Sequence, residues 1–326
     1  MRRVLVTGAA GFIGSHIVDS LLDSGFYVIA IDILELNEAQ NLSKAKLNKN
    51  FSYHKKDVTV EGALNVFFGE KIEKVYHFAS VVGVEKYLNT PEEVIRVNVL
   101  GTQNIVKLVK EHSVDVVFAS TSEVYGKNPK VPWSEEDDRV LGSTSLERWT
   151  YSTSKATAEH LLMAQLKDSE VNWTIVRYFN VYGPRQNANF VVSANLKNYI
   201  LRRPLLCHND GNQTRCYSYI ADIVDATLKL AECKKSGIYN VGSDVEVSIN
   251  ELLVLVNNVS DYKEEVSFIN TDETLGEGFE DIPRRVPNTG KIQNEIDWKP
   301  NTLLADGLVL TYKWMNDNPW WLKKEL

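Results

Sequence analysis

Near its start the chain reads Val4-Leu5-Val6-Thr7-Gly8-Ala9-Ala10-Gly11-Phe12-Ile13-Gly14, a short apolar run that leads into a glycine-rich loop. The apolar residues of Phe12–Ser24 then recur with helical spacing. A second apolar run follows at Tyr27–Asp32. The order strand, glycine loop, helix, strand predicts the first half of a dinucleotide-binding unit.

The three glycines of this loop have different predicted tasks. Gly8 permits a tight turn, Gly11 lets phosphates approach the backbone, and Gly14 lets the helix pack closely on the strand. The N-terminal end of the helix then offers N–H groups to a pyrophosphate. Asp32 ends the second strand, where a carboxylate accepts the ribose hydroxyls and repels a 2′-phosphate, so NAD is favoured over NADP.

Outside this unit, strands and helices continue to alternate. Apolar runs at Lys74–Ala79, Val114–Ser120 and Trp173–Tyr178 predict buried strands, and Pro91–His112 and Thr153–Lys167 predict helices between them. Buried strands separated by helices indicate a parallel sheet with right-handed crossovers. The predicted fold class is therefore α/β, a Rossmann-type doubly wound parallel sheet with a smaller C-terminal α/β substrate lobe.

The pattern changes after residue 183, where segments become shorter and more polar. The elements predicted there are helices at Ile220–Leu230 and Ile249–Asn257, a strand at Gly237–Val241 and a loop at Glu273–Pro287. We predict an NAD-binding domain over 1–180, to which the chain returns near 217–242, and a nucleotide-sugar-binding lobe over 181–326.

Composition excludes several classes of function. The 326 residues carry a formal net charge of -7, which disfavours nucleic-acid and membrane-surface partners. The three cysteines, Cys207, Cys216 and Cys233, lack the spacing of a disulfide framework or a zinc site, and no metal is expected. No apolar stretch is long enough to span a bilayer. A reducing, cytoplasmic setting fits best.

A second constellation predicts proton and hydride chemistry. Tyr151 and Lys155 are four residues apart on one predicted helix, hence on one face. An ammonium near a phenol stabilises the phenolate and lowers the tyrosine pKa, so Tyr151 can take a proton from a substrate hydroxyl. The Thr121 hydroxyl follows a buried strand, at the end where ligands bind in such sheets, and can hydrogen-bond the same substrate oxygen.

Because it combines these residues with the glycine loop, the chain resembles an extended short-chain dehydrogenase of the NAD-dependent epimerase/dehydratase family. Members of this family modify nucleotide sugars. The resemblance covers nearly the whole chain. It is carried, in order, by Thr7–Gly14, Asp57-Val58, His77-Phe78-Ala79-Ser80, Asn98 with Gly101-Thr102, Ser120–Gly126, Tyr151–Lys155, Arg177–Asn180, Gly183-Pro184-Arg185, Gln213-Thr214-Arg215 and Arg285–Pro287.

The resemblance implies a two-lobed monomer with NAD in the first lobe, and members usually dimerise through the helices of Pro91–His112 and Tyr151–Lys167. The implied cofactor site comprises Gly8, Gly11, Phe12, Ile13, Gly14, Asp32, Asp57, Val58, Ala79, Ser80, Asn98, Ser120, Tyr151, Lys155 and Tyr178. The implied substrate site comprises Tyr87, Ser122, Asn180, Val192, Arg215 and Arg285, of which Asn180, Arg215 and Arg285 are expected at the nucleotide diphosphate.

The shared first step of the family is oxidation of the sugar C4 hydroxyl by NAD, with Tyr151 as base and Thr121 and Lys155 assisting. Glu123 bears on the second step, because 4-epimerisation needs no second carboxylate, whereas proton abstraction at C5 does. Thr121-Ser122-Glu123 resembles the UDP-glucuronate decarboxylases and GDP-mannose dehydratases. Ser122 lacks the acidity that deoxythymidine-diphosphate-glucose dehydratases use at this position.

Two further features lean toward decarboxylation. Tyr87 precedes Pro91 by four residues, and Arg148-Trp149-Thr150-Tyr151 resembles bacterial UDP-glucuronate decarboxylases and plant apiose synthases. Against it, Phe190 stands where an arginine is expected. UDP-glucuronate decarboxylation is thus favoured, with 4-epimerisation and 4,6-dehydration as alternatives. A non-catalytic NAD-sensing regulator is disfavoured, because such proteins typically lose the tyrosine or the lysine.

Overall fold

The computed structural model describes residues 2–69, 71–270 and 280–323. The chain divides into two compact units. Unit 1 comprises Met1–Val124, Ser143–Tyr178 and Val224–Tyr239, and unit 2 comprises Tyr125–Gly142, Phe179–Ile223 and Asn240–Leu326. Residues 125–142, which the sequence analysis placed in the NAD-binding domain, group with unit 2, and the return to unit 1 covers 224–239.

The regular elements are numbered in chain order. The strands of the described residues are β1 (Arg3–Thr7), β2 (Tyr27–Asp32), β3 (Phe51–Lys55), β4 (Lys74–His77), β5 (Asp115–Thr121), β6 (Trp173–Tyr178), β7 (Val181–Tyr182), β8 (Leu205–His208), β9 (Thr214–Cys216), β10 (Ser218–Tyr219), β11 (Gly237–Val241), β12 (Glu246–Ser248), β13 (Val266–Ile269) and β14 (Arg284–Arg285). The α-helices are α1 (Phe12–Asp23), α2 (Asn65–Phe68), α3 (Val84–Asn89), α4 (Pro91–Ile95), α5 (Gly101–Glu111), α6 (Thr150–Leu166), α7 (Val191–Ile200), α8 (Ile220–Glu232), α9 (Ile249–Asn257), α10 (Gly290–Ile296), α11 (Leu304–Asp317) and α12 (Pro319–Leu322).

Unit 1 is built on a seven-stranded sheet with the order β11-β6-β5-β4-β1-β2-β3. The pairings from β6 through to β3 are all parallel. The strands β1, β4 and β5 are almost wholly buried, as expected of parallel strands that helices cover on both faces. The predicted Rossmann-type α/β fold is confirmed.

The predicted helix over Pro91–His112 is interrupted. Its middle, Arg96–Leu100, is a π-helical turn between α4 and α5. At the next residue, Gly101, a Cβ atom would lie 2.7 Å from the Cγ2 atom of Val58, so the helix approaches that segment too closely for a side chain. A wider turn of this kind is typical of a functional position in a helix.

Unit 2 contains three small sheets, with the orders β12-β9-β14, β10-β7 and β13-β8. A separate apolar core holds them, to which α7, α9 and α11 contribute. The loop predicted over Glu273–Pro287 is wrong at Arg284–Arg285, which pair in parallel with β9. Residues 273–279 of that prediction lie outside the described residues.

Within the described ranges, no helix is both long and apolar enough to cross a membrane.

Candidate active site

The sheet order of unit 1 reverses at β1, which pairs with β2 on one side and β4 on the other. Ligands of doubly wound sheets bind beyond the carboxyl ends of the strands at such a point. The glycine loop follows β1, Phe78-Ala79-Ser80 follows β4, and Ser122-Glu123 follows β5. The glycine loop, Phe78-Ala79-Ser80 and Ser122-Glu123 therefore all lie at this edge of the sheet.

The glycine loop is shaped as a backbone cradle. Gly8 has φ +65° and its Cβ atom would lie 2.6 Å from the Ala79 nitrogen, so only glycine fits. A Cβ atom at Gly14 would overlap the Gly8 carbonyl oxygen. At Gly11 the Gly8 carbonyl oxygen, 3.1 Å away, is the only neighbour that a Cβ atom would meet among the described residues. The residues present thus fit a pyrophosphate at the start of α1.

The Asp32 carboxylate lies beside this loop and braces it. It accepts hydrogen bonds from the Ala10 and Ile33 backbone N–H groups, each at 2.8 Å. The Asn41 amide donates to the Ala10 carbonyl at 2.9 Å from the other side. Asn41 did not feature in the sequence analysis, because only its three-dimensional position connects it to the loop. A carboxylate at the end of β2, next to the loop, fits the ribose of NAD.

The segment expected at the adenine is ordered by its own polar contacts. Asp57 accepts two hydrogen bonds of 2.8 Å from Thr59, one from the backbone and one from the hydroxyl, and lies 3.7 Å from Arg96. Burial alone would raise the pKa of Asp57, but these partners lower it below its ordinary value. Val58 is buried against Gly101.

Tyr151 lies at the centre of a hydrogen-bonded network. Its hydroxyl lies within reach of the side chains of Thr121 and Ser80, both of which act to lower its pKa. The Ser80 hydroxyl donates to the Asn98 amide oxygen at 2.8 Å, and the Asn98 amide nitrogen donates to Ser154 at 3.0 Å. Asn98 is buried in the π-helical turn, so the widened turn presents its amide to the tyrosine network.

The electrostatics of Tyr151 differ from the sequence-based expectation. Burial, and after it the negative charge of Glu123, raise the pKa of Tyr151, while the hydrogen bonds with Thr121 and Ser80 lower it less. The lowering by Lys155 that the sequence predicts does not outweigh burial and the Glu123 charge. The Lys155 ammonium instead donates to the Ala119 carbonyl at 2.8 Å.

Lys155 is itself strongly perturbed. Burial lowers the pKa of this side chain to about 7, and the charge of Glu159 acts in the opposite direction. His77 on β4 is buried as well, and burial together with the Lys155 charge lowers its pKa to about 3. His77 is therefore a neutral packed side chain at neutral pH.

Two carboxylates near these groups are paired with arginines. Glu123 Oε2 accepts a hydrogen bond of 2.7 Å from Arg148, whose guanidinium lies 5.5 Å from the Tyr87 ring centroid and 4.9 Å from that of Trp149. The sequence analysis used Arg148 only as part of the family resemblance. Its contact with Glu123 brings together two segments that are 25 residues apart.

The second pair lies deeper and was missed. Arg177 Nε and Nη2 donate to the two Glu159 oxygens at 3.0 and 2.6 Å, and the Ser120 hydroxyl donates to Glu159 as well. Two signals in the sequence could have revealed it. Glu159 is four residues after Lys155 on one helix, and Arg177 is a charge inside an apolar strand.

The remaining unit 1 candidates are buried near these groups. Tyr87 lies under the Arg148 guanidinium, and Ser122 is buried at the end of β5. The Tyr178 hydroxyl bonds to that of Thr227 at 2.9 Å, and its ring stacks on Phe78.

Unit 2 holds the other substrate candidates. Arg215 on β9 and Arg285 on β14 are paired in register, so two cations lie side by side. Arg215 is held by Asp281 at 2.9 Å. Asn180 has φ +28°, an uncommon backbone conformation for a non-glycine residue, and its amide lies 3.5 Å from the Cys216 carbonyl. Val192 differs from them, since its side chain is packed into the apolar core.

No group of three histidine, cysteine or acidic side chains in the described residues is arranged to hold a metal ion.

Comparison with known proteins supplies the family. The sequence profile of the NAD dependent epimerase/dehydratase family matches residues 4–242. NAD dependence of the family agrees with the glycine loop and Asp32, and the predicted cofactor is confirmed.

Similar curated proteins include decarboxylases. The UDP-N-acetyl-alpha-D-glucosaminuronate decarboxylase of Bacillus cytotoxicus is 32% identical over 97% of this chain and 98% of its own length. UDP-glucuronic acid decarboxylase 1 of Arabidopsis thaliana is 33% identical over 94% of this chain and 68% of its own length.

Similar solved structures include epimerases. The UDP-glucuronic acid 4-epimerase of Bacillus cereus, in complex with UDP-glucuronic acid and NAD, has a TM-score of 0.86 at 27% identity over 97% of this chain and 99% of its own. The UDP-glucose 4-epimerase of Thermotoga maritima, with UDP-glucose, has a TM-score of 0.87 at 27% identity and the same coverage.

Proposed function

Because the chain belongs to the NAD dependent epimerase/dehydratase family, we propose that it oxidises a UDP-linked uronic acid at C4 and decarboxylates it. The observation that carries this proposal is the Glu123–Arg148 pair beside Tyr151. A 4-epimerase needs no second carboxylate near its base, whereas chemistry at C5 gives one a task. The Bacillus cytotoxicus and Arabidopsis thaliana decarboxylases, similar over most of this chain, support the same class.

In the first step, Tyr151 takes the proton of the C4 hydroxyl. NAD, when bound, would supply the hydride acceptor for this oxidation and the hydride donor for the later reduction of the ketone. Thr121 is within hydrogen-bonding reach of the Tyr151 hydroxyl and holds the reacting oxygen with it. Lys155, one helical turn along α6, supplies the positive charge that a phenolate needs.

In the second step, the bond from C5 to its carboxylate breaks. The electron pair of that bond moves into the C4 carbonyl, carbon dioxide leaves, and an enolate remains. A proton must then reach C5 before the ketone is reduced. Tyr151 keeps the proton that it gained in the first step and returns it to the C4 oxygen when the ketone is reduced. Glu123 and Arg148 are the polar side chains that orient a proton donor near C5.

The glycine loop and Asp32 would hold NAD through both steps. The cradle around Gly8 and the bracing of Ala10 by Asp32 favour retention of the cofactor over release in each turnover. Arg215 and Arg285 are proposed to bind the nucleotide diphosphate, since two adjacent guanidinium groups suit two phosphates.

A second candidate function is 4-epimerisation. Phe190 is partly exposed at a position where the resemblance implies an arginine, so a cation for the sugar carboxylate is missing there. The 4-epimerases among the similar structures support this candidate.

The deciding experiment supplies the purified protein, without added cofactor, with UDP-glucuronate, UDP-N-acetylglucosaminuronate, UDP-glucose, UDP-N-acetylglucosamine and GDP-mannose. Products are read by mass spectrometry and NMR. Loss of carbon dioxide supports the proposal, an unchanged mass with a new sugar spectrum supports epimerisation, and loss of water indicates 4,6-dehydration. Tyr151→Phe serves as the control that binds NAD without turnover. A wild-type protein that converts none of the five would refute the proposed substrate class.

We further propose a homodimer through the helices α4, α5 and α6. Ile95 and Leu100 are large apolar side chains that are about half exposed on this part of unit 1. Sedimentation of the wild type against an Ile95→Glu/Leu100→Glu variant tests it, with a monomeric wild type as the contrary result.

A further inference from the structure

A buried polar cluster lies between α6 and the sheet of unit 1. Ser120 on β5 and Arg177 on β6 are directly paired across the two strands. Both donate hydrogen bonds to Glu159 on α6, Ser120 through its hydroxyl and Arg177 through Nε and Nη2. The Arg177 and Glu159 side chains are only 8% and 4% exposed. A bidentate guanidinium and a hydroxyl hold this carboxylate in one orientation.

The same cluster is adjacent to Lys155. Glu159 and Lys155 are four residues apart on α6 and so face the same side of the helix. The Lys155 ammonium donates to the carbonyl of Ala119, the residue next to Ser120. The ammonium and the carboxylate are thus held against consecutive residues of β5.

The charge balance around Lys155 depends on Glu159. The other ionisable groups on the surrounding elements include His77 on β4, Tyr151 on α6, Arg177 and Tyr178 on β6, and Glu123, which pairs with Arg148. Further along these elements are Lys74 and Tyr76 on β4, Asp115 on β5 and His160 on α6. Burial keeps His77 neutral and raises the pKa of both tyrosines. Lys155 is 2% exposed, and an isolated ammonium so deeply buried releases its proton.

We propose that Glu159, clamped by Arg177 and Ser120, is a positioning residue that keeps Lys155 in its ammonium form one turn from Tyr151. For its catalytic consequence the inference rests on the proposed function, because the ammonium is what stabilises the Tyr151 phenolate there. The direction of the effect agrees with the charge of Glu159, which acts to raise the pKa of Lys155 against burial.

The test is a direct titration of Lys155. Protein labelled with 13Cε-lysine and saturated with NAD is followed by NMR from acid to alkaline pH, and the Lys155 signal is identified by its loss in Lys155→Arg. In Glu159→Gln the Lys155 midpoint is expected to fall by at least about one pH unit, a tenfold loss of proton affinity. Glu159→Asp, which keeps the charge, is expected to restore most of it. Glu170→Gln removes an exposed carboxylate and leaves the midpoint in place.

A midpoint in Glu159→Gln equal to that of the wild type overturns the proposal, and so does an equal fall in Glu170→Gln. If Glu159→Gln does not fold, Glu159→Gln/Arg177→Gln is compared with Arg177→Gln, because these two proteins differ only in the Glu159 charge. The Lys155 midpoint is expected to be lower in the double variant, and equal midpoints overturn the proposal. In the active enzyme, Glu159→Gln is expected to move the alkaline limit of kcat to lower pH. A wild type that converts no nucleotide sugar refutes the proposed function alone, whereas an unmoved midpoint in an active enzyme refutes this inference alone.

Discussion

Two carboxylate–guanidinium pairs lie close to the same tyrosine and lysine, and they differ in how they are enclosed. Glu159 and Arg177 are 4% and 8% exposed, and Glu159 accepts three hydrogen bonds. Glu123 is 14% exposed, and Arg148, itself only 3% exposed, donates to it at 2.7 Å. In the first pair, called the closed pair below, both side chains are shielded from solvent. In the second pair, called the open pair below, the Glu123 carboxylate is partly exposed to solvent.

This difference separates two kinds of task. A fully enclosed ion pair cannot meet a substrate, and its effect is limited to the electrostatics and packing of its neighbours. A carboxylate that is held on one side by an arginine and open on the other can meet a substrate. This difference agrees with the two proposals, in which Glu159 supports Lys155 and Glu123 acts in the reaction.

The largest expected effect is on the stability of the closed pair. Glu159→Gln leaves Arg177 as an uncompensated buried cation, which should lower the free energy of unfolding by about 3–5 kcal/mol. Glu123→Gln also leaves a buried cation, but the Arg148 guanidinium keeps its contacts with the Tyr87 and Trp149 rings, so a smaller loss of about 1–3 kcal/mol is expected. Urea denaturation at neutral pH measures both. Equal losses in the two variants would show that the pairs do not differ in enclosure.

The second-largest expected effect is on activity, and here the open pair, Glu123 with Arg148, is expected to matter more than the closed pair. Glu123→Gln should reduce kcat about 10²–10³-fold if the reaction proceeds at C5, because Glu123 is proposed to order the proton donor there and proton transfer by a positioned donor contributes about that much. Arg148→Lys keeps the positive charge but loses the planar stacking on Tyr87 and Trp149, and a smaller loss is expected. Glu147→Gln, an exposed neighbour of Arg148, is the control. Full activity in Glu123→Gln would favour 4-epimerisation.

The sequence predicts the residues of local motifs better than it predicts contacts between distant segments. The glycine loop, Asp32, Tyr151 and Lys155 could all be identified, because each belongs to a local pattern with a fixed spacing. The contact between Glu123 and Arg148 could not, since no local pattern connects the turn that follows β5 with the turn that precedes α6.

The same contrast, between local patterns that can be predicted and long-range contacts that cannot, applies to the fold. Buried parallel strands are continuous apolar runs, so most of the sheet of unit 1 was predictable, including β2 and β6 residue for residue. The edge strand β3 contains Ser52 and His54 and carries no such signal. In unit 2, strands of two or three residues such as β14 are defined by pairing across the chain and have no periodicity to detect.

The smallest expected effect concerns His77, the neutral neighbour of Lys155 on β4. Thr102 donates its hydroxyl proton to the Asn98 carbonyl at 2.6 Å, so it accepts from His77 Nε2 at 3.2 Å. His77 Nδ1 then accepts from the Thr7 hydroxyl at 2.7 Å, and a proton on Nδ1 would remove this bond. This geometry and burial agree with a pKa of about 3 in the folded protein, against 6.5 for an ordinary histidine.

The sign of the pH effect is set by these values. Between pH 6.5 and pH 3 the unfolded chain carries a proton on this histidine that the folded protein does not, so stability falls as the pH falls through this window. From pH 6 to pH 5 the wild type should lose about 1 kcal/mol more than His77→Gln, whose side chain does not titrate. Urea midpoints of both proteins at the two pH values measure the difference. The same loss in both would mean that His77 is protonated in the folded protein at these pH values. A second cation would then lie beside Lys155, and Glu159 would have to offset two positive charges instead of one.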